Sequence, residues 1–220
     1  MEPVMAPERR PGTAARLDWA EAGRPYPGER SSGDLALVLE RPQGALLAVV
    51  DALGHGAEAA AVAAQTAAAL QRNAEEPVIP LLRAAHEELR GTRGAVLSLA
   101  VVNGRDDTLT WVGVGNVSGR LIRAAPGAAE LPHNEALLLR GGILGTQLPP
   151  LYAAIVPIAA GDLLVFASDG LAPDWMSANV VPPEAPPAEI AAQLLRHYAV
   201  PNDDAVVLVA RYLGPGGLAR

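Results

Sequence analysis

The run LLAVVDALGHG, residues 46–56, is the most informative stretch of this chain. Its apolar half, from Leu46 to Val50, predicts a buried strand that carries Asp51 to the edge of a sheet. Gly54-His55-Gly56 predicts a turn with little side-chain bulk, after which an alanine-rich helix begins. A carboxylate beside the free amides of a helix N-terminus can hold a hard cation and face a phosphate.

Three further segments place a carboxylate beside an apolar run that is long enough to be a strand. The acidic residues are Asp34 at the start of one run, Asp169 at the end of another, and Asp203-Asp204 before the last. A single aspartate at a strand end is usually a turn or cap residue. Aspartates on four separate strands instead predict one shared site.

The composition limits the class of protein. A chain of 220 residues with 50% hydrophobic content fits one domain with a sizeable core. The net charge of −7 argues against nucleic acid or an anionic membrane as the main partner. Because the chain has no cysteine, disulfides, thiolate catalysis and cysteine-ligated zinc are all excluded.

The two ends of the chain differ in composition from its middle. We expect a flexible arm at residues 1–12, a single domain at 13–212 and a flexible tail at 213–220. The N-terminus lacks the apolar stretch of a signal peptide, and no segment approaches ~18 uninterrupted apolar residues. These features predict a cytoplasmic protein.

The apolar runs barely alternate with polar residues, which is typical of strands buried on both faces. The connections at 41–44, 103–106 and 115–116 are nevertheless short enough to require antiparallel neighbours. Two antiparallel sheets packed face to face, with helices outside, satisfy both observations. We therefore predict an α+β fold, a four-layer α-β-β-α sandwich, in preference to a doubly wound α/β sheet.

The same patterns give the positions of the individual elements. Residues 126–150, rich in glycine and proline, are expected to form loops. Helices are predicted at 57–71, 78–90 and 187–198, and strands near 14–20, 34–40, 45–50, 95–102, 109–114, 118–123, 163–166 and 205–210.

Four motifs occur in a characteristic order along the chain. They are Ser32-Gly33-Asp34, VVDALGHG, Ser168-Asp169-Gly170 and Asn202-Asp203-Asp204. Together they resemble the metal-dependent type 2C protein phosphatases, most of all the bacterial SpoIIE-like branch that resets partner-switching and stress-response systems. Because no sensor or kinase domain precedes the motifs, the chain is most similar to small stand-alone phosphatases of that branch.

The resemblance implies a metal centre. It makes Asp51 the catalytic aspartate that bridges two divalent cations, Mn²⁺ or Mg²⁺, and the backbone carbonyl of Ala52 a further ligand. It assigns the other carboxylate ligands to Asp34, Asp169 and Asp203. Oxygen ligands suit these metals, and two ions ~3.5–4 Å apart activate a bridging water for in-line attack on phosphoserine or phosphothreonine.

Residues around the implied ligands have supporting roles. Gly54 and Gly56 allow a close backbone approach. His55 is either a catalytic donor to the phosphate or leaving group or a residue that stabilises the turn. Arg30 is the candidate for the arginine that clamps phosphate in eukaryotic relatives.

Two positions depart from the family pattern, and one assignment stays open. Ala52 replaces the commoner glycine after the bridging aspartate, which keeps the carbonyl but stiffens the loop. Val206 stands where threonine is common. Of the adjacent acids, Asp204 is favoured over Asp203 as the supporting residue.

The first functional hypothesis is a serine/threonine phosphoprotein phosphatase whose substrate is a phosphorylated bacterial regulator, such as a STAS-domain stressosome or anti-anti-sigma protein. The second is a catalytically weak binding module of the same fold that recognises a signalling partner. A nucleotide enzyme built on the Gly-His-Gly turn ranks third, because the chain lacks a P-loop lysine and a full dinucleotide glycine pattern.

Overall fold

The computed structural model describes residues 16–124, 134–177 and 184–215. The expected arm at 1–12 and the tail residues 216–220 lie outside the described residues. The helices are α1 (Gly56–Arg72), α2 (Val78–Glu88) and α3 (Pro187–Tyr198), with a short 3-10 helix at Pro173–Ser177. The strands are β1 (Leu17–Arg24), β2 (Asp34–Arg41), β3 (Gly44–Ala52), β4 (Ala95–Asn103), β5 (Thr108–Val114), β6 (Ser118–Ile122), β7 (Asn134–Ala136), β8 (Leu139–Arg140), β9 (Ala154–Pro157), β10 (Leu163–Ala167) and β11 (Ala205–Tyr212).

These strands form two sheets. The first has the order β1-β11-β10-β6-β7, and the second has the order β2-β3-β4-β5-β8, with β9 also paired to β5. Among the described strands only the short β5–β8 pair is parallel. The sheets are therefore almost entirely antiparallel, as the short turns predict.

The sheets pack face to face, and helices cover their outer faces. Leu47 and Val49 of the second sheet meet Phe166 and Leu208 of the first in the central core. Helices α1 and α2 pack on the second sheet, and α3 packs on the first. The small alanine side chains of α1 let that helix lie close to its sheet. The predicted four-layer α-β-β-α sandwich is confirmed.

Three predictions about local structure need correction. The turn at 115–116 does not join antiparallel neighbours, because β5 lies in the second sheet and β6 in the first. The chain crosses between the sheets there, and Ser98 Oγ donates a hydrogen bond to the carbonyl of Val117 at 2.6 Å. The stretch 126–150 is not all loop, since β7 and β8 lie within it. The first strand continues to Arg24, beyond the predicted end at residue 20, and the predicted residues 14 and 15 lie outside the described residues.

The topology brings the acidic strand ends together. The start of β2 and the end of β3 are neighbours in one sheet, and the end of β10 and the start of β11 are neighbours in the other. Because β2 and β11 also contact each other, all four strand ends meet at the same end of the sandwich. None of the described helices combines the length and apolar character needed to cross a membrane.

Candidate metal centre

Three of the four predicted carboxylates line one open cleft at this end of the sandwich. Asp51, Asp169 and Asp203 share with Gly54 and His55 a cleft of about 400 Å³. Asp34 stands directly opposite Asp51 in the β2–β3 ladder. The structure thus brings together aspartates that are up to 169 residues apart in the sequence, counting from Asp34 to Asp203.

Burial and mutual repulsion raise the pKa of three of these carboxyl groups. Burial is the largest cause of the rise in the pKa of Asp51 to about 9, followed by the charges of Asp34 and Asp169. The pKa of Asp34 rises to about 7, again first because of burial, while a hydrogen bond from Ser168 opposes the rise. Burial also raises the pKa of Asp203, with the charge of Asp169 as the next cause. The folded chain therefore disfavours the ionised form of each group.

The donor set fits divalent cations that prefer oxygen. Asp34 Oδ2 is buried and has no hydrogen-bond partner among the described residues. Within the same part of the chain, none of the four aspartates forms an ion pair with an arginine or a histidine. A bound cation would supply the charge and the contact that these groups lack.

The carboxylates line an open cleft and do not form a closed cage. Within residues 16–124, 134–177 and 184–215, no three acidic or histidine side chains are close enough to enclose one ion. Asp51 and Asp169 are nevertheless close enough for a side-chain hydrogen bond between their carboxyl groups, which contributes to the raised pKa of Asp51. The position of the Ala52 carbonyl relative to a cation stays a prediction; the Ala52 amide donates to the carbonyl of Gly33 at 3.1 Å.

Asp204 faces away from the cleft and holds the loop between β1 and β2. Its side chain is 3% exposed, and its two oxygens accept hydrogen bonds from the amides of Tyr26 at 2.5 Å and Gly33 at 2.9 Å. A Cβ on Gly33 would lie 3.1 Å from Asp204 Oδ2, so a larger residue would crowd this contact. Asp204 therefore fixes the residue that precedes Asp34, whereas Asp203 lines the cleft.

Two residues contact the aspartates without having been assigned a role from the sequence. Asn116 donates from Nδ2 to Asp169 Oδ2 at 2.6 Å. Ser168 Oγ accepts from the amide of Val206 at 3.0 Å and contacts Asp34. From the sequence, Asn116 is predicted to be a hairpin residue. Only the crossing of the chain between the two sheets places it beside β10. Ser168 could have been predicted as a site residue, because it lies in the Ser168-Asp169-Gly170 motif.

The remaining predicted residues lie on both sides of the site. Gly54 and Gly56 have φ angles of +93° and +72°, which side chains with a Cβ rarely adopt. His55 lines the cleft as the N-cap residue of α1. Arg30 is exposed and lines, with Asp34, a separate cavity of about 170 Å³. The structure therefore does not place Arg30 in the cleft with Asp51.

The comparison with protein families identifies the class. A family model described as stage II sporulation protein E (SpoIIE) matches residues 41–213. Because this match covers well over half of the chain, the chain belongs to the SpoIIE family. The matched range includes Asp51, Asp169 and Asp203 and begins after Asp34.

Solved structures confirm the type 2C phosphatase fold. A structure from work on the bacterial stressosome, a modular system adapted to control secondary messenger signalling, shares 30% identity, covers 89% of this chain and 99% of that chain, and has a TM-score of 0.78. RsbX in complex with magnesium shares 21% identity over 89% of this chain and 94% of that chain, with a TM-score of 0.75. The phosphatase domain of SpoIIE from Bacillus subtilis, with a fragment of its regulatory domain, shares 20% identity, with a TM-score of 0.72; the match covers 89% of this chain and 62% of that one. Curated protein sequences give no match.

The resemblance to the SpoIIE-like branch is thus confirmed, and a likeness to the stand-alone RsbX is consistent with these matches. The structures that share less than 25% identity support the fold alone. The roles of individual residues rest on the geometry of this chain.

Proposed function

We propose that this protein is a Mn²⁺- or Mg²⁺-dependent protein serine/threonine phosphatase. The observation that carries the proposal is the set of four aspartates that meet at one end of the sandwich and form no ion pair among the described residues. Burial and the neighbouring aspartates raise the pKa of Asp51 to about 9, and a bound cation would offset the cost of ionising it. The SpoIIE family membership and the type 2C fold support the same conclusion.

The ligands proposed for the two cations are the side chains of Asp34, Asp51, Asp169 and Asp203 and the carbonyl of Ala52. Asp51 is the residue proposed to lie between the cations. When bound, the cations supply an activated water for in-line attack and neutralise charge on the phosphoryl oxygens.

The chain itself supplies groups that bind and orient the phosphoester. The first turn of α1 presents free backbone amides, which attract a phosphate group. Gly54 and Gly56 add no side chains of their own at this turn, although Arg93 and Glu29 lie close to them. His55 lines the cleft from the same turn and can donate a proton to the oxygen of the leaving serine or threonine.

We propose a phosphorylated bacterial regulatory protein as the substrate, in a partner-switching or stressosome pathway. The most informative support is the 30% identical structure that comes from work on the stressosome. A STAS-domain or anti-anti-sigma protein carrying phosphoserine or phosphothreonine fits this class. A cytoplasmic location follows from this proposal, because such regulators act there.

The proposal is tested by phosphate release from phosphoserine and phosphothreonine peptides and from p-nitrophenyl phosphate. Turnover should require Mn²⁺ or Mg²⁺ and stop when EDTA is added. Turnover that survives exhaustive chelation would overturn the two-metal assignment. Capture from lysate by the Asp51→Asn variant, followed by phosphosite mapping of the captured protein, identifies the substrate.

A second candidate function is a binding module that recognises a signalling partner without turnover. The open spacing of the carboxylates favours it, because the described residues hold no preformed cage. Ala52 and Val206, which depart from the family pattern, point in the same direction. Binding of a phosphorylated partner without phosphate release, in the presence of every divalent cation tested, would support this function over the first.

A further inference from the structure

A glutamate and a tyrosine hold His55 at the edge of the metal cleft. Glu29 Oε1 lies 3.3 Å from His55 Nδ1. The ring of Tyr26 stacks on the imidazole, with a centroid distance of 4.1 Å and an interplanar angle of 15°. The His55 side chain is 50% exposed. These contacts fix the orientation of a ring that would otherwise rotate freely in solvent.

The loop that delivers Glu29 is itself anchored. The amide of Glu29 donates to the carbonyl of Tyr26 at 2.9 Å, and the amide of Tyr26 donates to buried Asp204. Asp204, which directly precedes β11, therefore anchors the loop segment that carries Tyr26 and Glu29 to His55. The position of Glu29 is a consequence of the same network that fixes Gly33.

The glycine that follows His55 leaves room for this contact. A Cβ on Gly56 would lie 2.8–2.9 Å from the three carboxylate atoms of Glu29. With a side chain at position 56, the carboxylate would have to move. The Gly-His-Gly sequence thus provides both the turn and the space in which Glu29 reaches the imidazole.

We propose that Glu29 is a positioning residue for His55. A carboxylate only accepts hydrogen bonds, so Nδ1 of His55 carries the proton in this pair. Nε2 is then the ring nitrogen left to serve the cleft that His55 lines. Because an exposed ion pair adds little to stability, the contact serves orientation more than folding.

This inference rests on the proposed phosphatase function and adds a step to it. The phosphorus–oxygen bond to the seryl or threonyl group breaks, and its electron pair stays on the leaving oxygen. That oxygen takes the second proton of the doubly protonated imidazolium, from Nε2 of His55, and becomes a free hydroxyl; the ring is left neutral with its proton on Nδ1, facing Glu29. Water adds its oxygen to phosphorus to give inorganic phosphate, and the proton that water releases restores the ring.

The kinetic test compares two leaving groups in the Mn²⁺-loaded protein. Phenolate is strongly basic and needs a proton as it leaves, whereas the weakly basic p-nitrophenolate does not. We expect Glu29→Gln to lower kcat for phenyl phosphate roughly tenfold more than kcat for p-nitrophenyl phosphate, since proton donation contributes on the order of 10²–10⁴-fold. In a His55→Ala background, Glu29→Gln should have no further effect on this ratio.

A matched control separates orientation of the ring from removal of a charge at the start of α1. Glu58 lies in the first turn of the same helix and pairs with Arg93. Glu58→Gln should leave the ratio of the two kcat values unchanged. An equal change of the ratio in Glu58→Gln would assign the effect to the helix N-terminus and overturn the inference.

A measurement on the metal-free protein tests the contact without turnover. Long-range ¹H–¹⁵N correlations of the histidine rings, recorded above the ordinary histidine titration range, report which nitrogen carries the proton. The signals of His55 are identified by their absence in His55→Ala. In the wild type the proton should lie on Nδ1, and in Glu29→Gln the population should shift toward the tautomer protonated on Nε2. The same tautomer in both proteins would overturn the inference.

The outcomes distinguish the two proposals. A wild-type protein that hydrolyses neither substrate with any divalent cation overturns the phosphatase function, and the proton-donation step fails with it. An active wild type whose substrate ratio is unaffected by Glu29→Gln overturns only the role of Glu29.

Discussion

Two groups of carboxylates in this protein, one buried and one partly buried, differ in how the chain compensates their charge. Asp162, 2% exposed, accepts hydrogen bonds from Ala124 N at 2.9 Å, Ala159 N at 3.0 Å and Arg123 Nη1 at 3.0 Å. Arg123 also pairs with Glu135. Every charge in this cluster has a partner within the chain. It stabilises the junction between β6, β7 and the turn before β10.

Asp34 and Asp51 are only partly buried, and neither pairs with a cationic side chain among the described residues. Asp34 Oδ2 has no hydrogen-bond partner among the described residues, and burial with the neighbouring aspartates raises the pKa of Asp51. The difference shows that burial alone does not mark a functional carboxylate. A partly buried acid without a compensating cation is the better candidate, because a bound cation would offset the cost of ionising it.

The largest expected effect tests the uncompensated group. Asp51→Asn keeps the size of the side chain but removes the charge proposed to lie between two cations. Metal-dependent turnover should fall by about 10³-fold or more, because the activated water depends on that pair. Phosphate release measured against Mn²⁺ concentration checks this expectation.

Asp106→Asn is the control for that experiment. Asp106 lies in the exposed turn between β4 and β5, where its Oδ1 accepts from Thr108 Oγ1 at 2.8 Å. Its turnover should equal that of the wild type. Near-normal activity in Asp51→Asn, or a loss in Asp106→Asn, would place the site elsewhere.

Substitution in the cluster of Asp162, Arg123 and Glu135 should change the stability of the protein and not its activity. Asp162→Ala leaves two backbone amides without their acceptor and removes one of the two carboxylates that Arg123 contacts, which should lower the free energy of unfolding by about 3–5 kcal/mol. Urea unfolding measures the change. In the protein that remains folded, the Mn²⁺ dependence of turnover should be unchanged; a shifted dependence would mean that the two clusters are coupled.

Asp204 tests the link between a structural carboxylate and the site. Asp204→Ala removes the acceptor for the amides of Tyr26 and Gly33, so the loop before Asp34 loses its anchor. Loss of such a supporting contact should weaken Mn²⁺ affinity roughly 10–100-fold. Calorimetric titration measures the affinity, and wild-type affinity in this variant would show that the loop is held by other contacts.

The smallest expected effect is the pH dependence of the metal-free protein. The folded pKa values of Asp34, Asp51 and Asp203 are raised above their unfolded values. Their contribution to stability is therefore complete below the ordinary carboxyl range near 4 and is lost as the pH rises through the folded values, up to about 9 for Asp51.

Asp51→Asn should remove part of this dependence. In EDTA the variant should be more stable than the wild type by about 1–2 kcal/mol at pH ~8, with a smaller difference at pH ~5. Denaturant unfolding at both pH values checks the sign. A variant that is less stable than the wild type at the higher pH would contradict the repulsion that the pKa shifts imply.

Much of this architecture follows from local sequence patterns. Helix α3 begins and ends at the residues predicted, and α1 differs by one residue at each end. The burial of strands on both faces could be predicted from the sequence because runs such as 163–167 contain no polar residue. Amphipathic periodicity and apolar runs depend on near neighbours, so a single sequence contains them.

The sequence alone determined which aspartates lie at strand ends and that a glycine turn precedes α1, and it predicted oxygen ligands for a cation. Only the tertiary structure decided how these parts meet. The crossing at 115–117 puts Asn116 beside Asp169, the loop at 25–33 brings Glu29 to His55, and Arg30 faces a different cavity from Asp51. Glu29 and His55 are 26 positions apart in the sequence, and Asn116 and Asp169 are 53 apart. The geometry of such contacts depends on how the two sheets pack, and local sequence patterns do not contain that information.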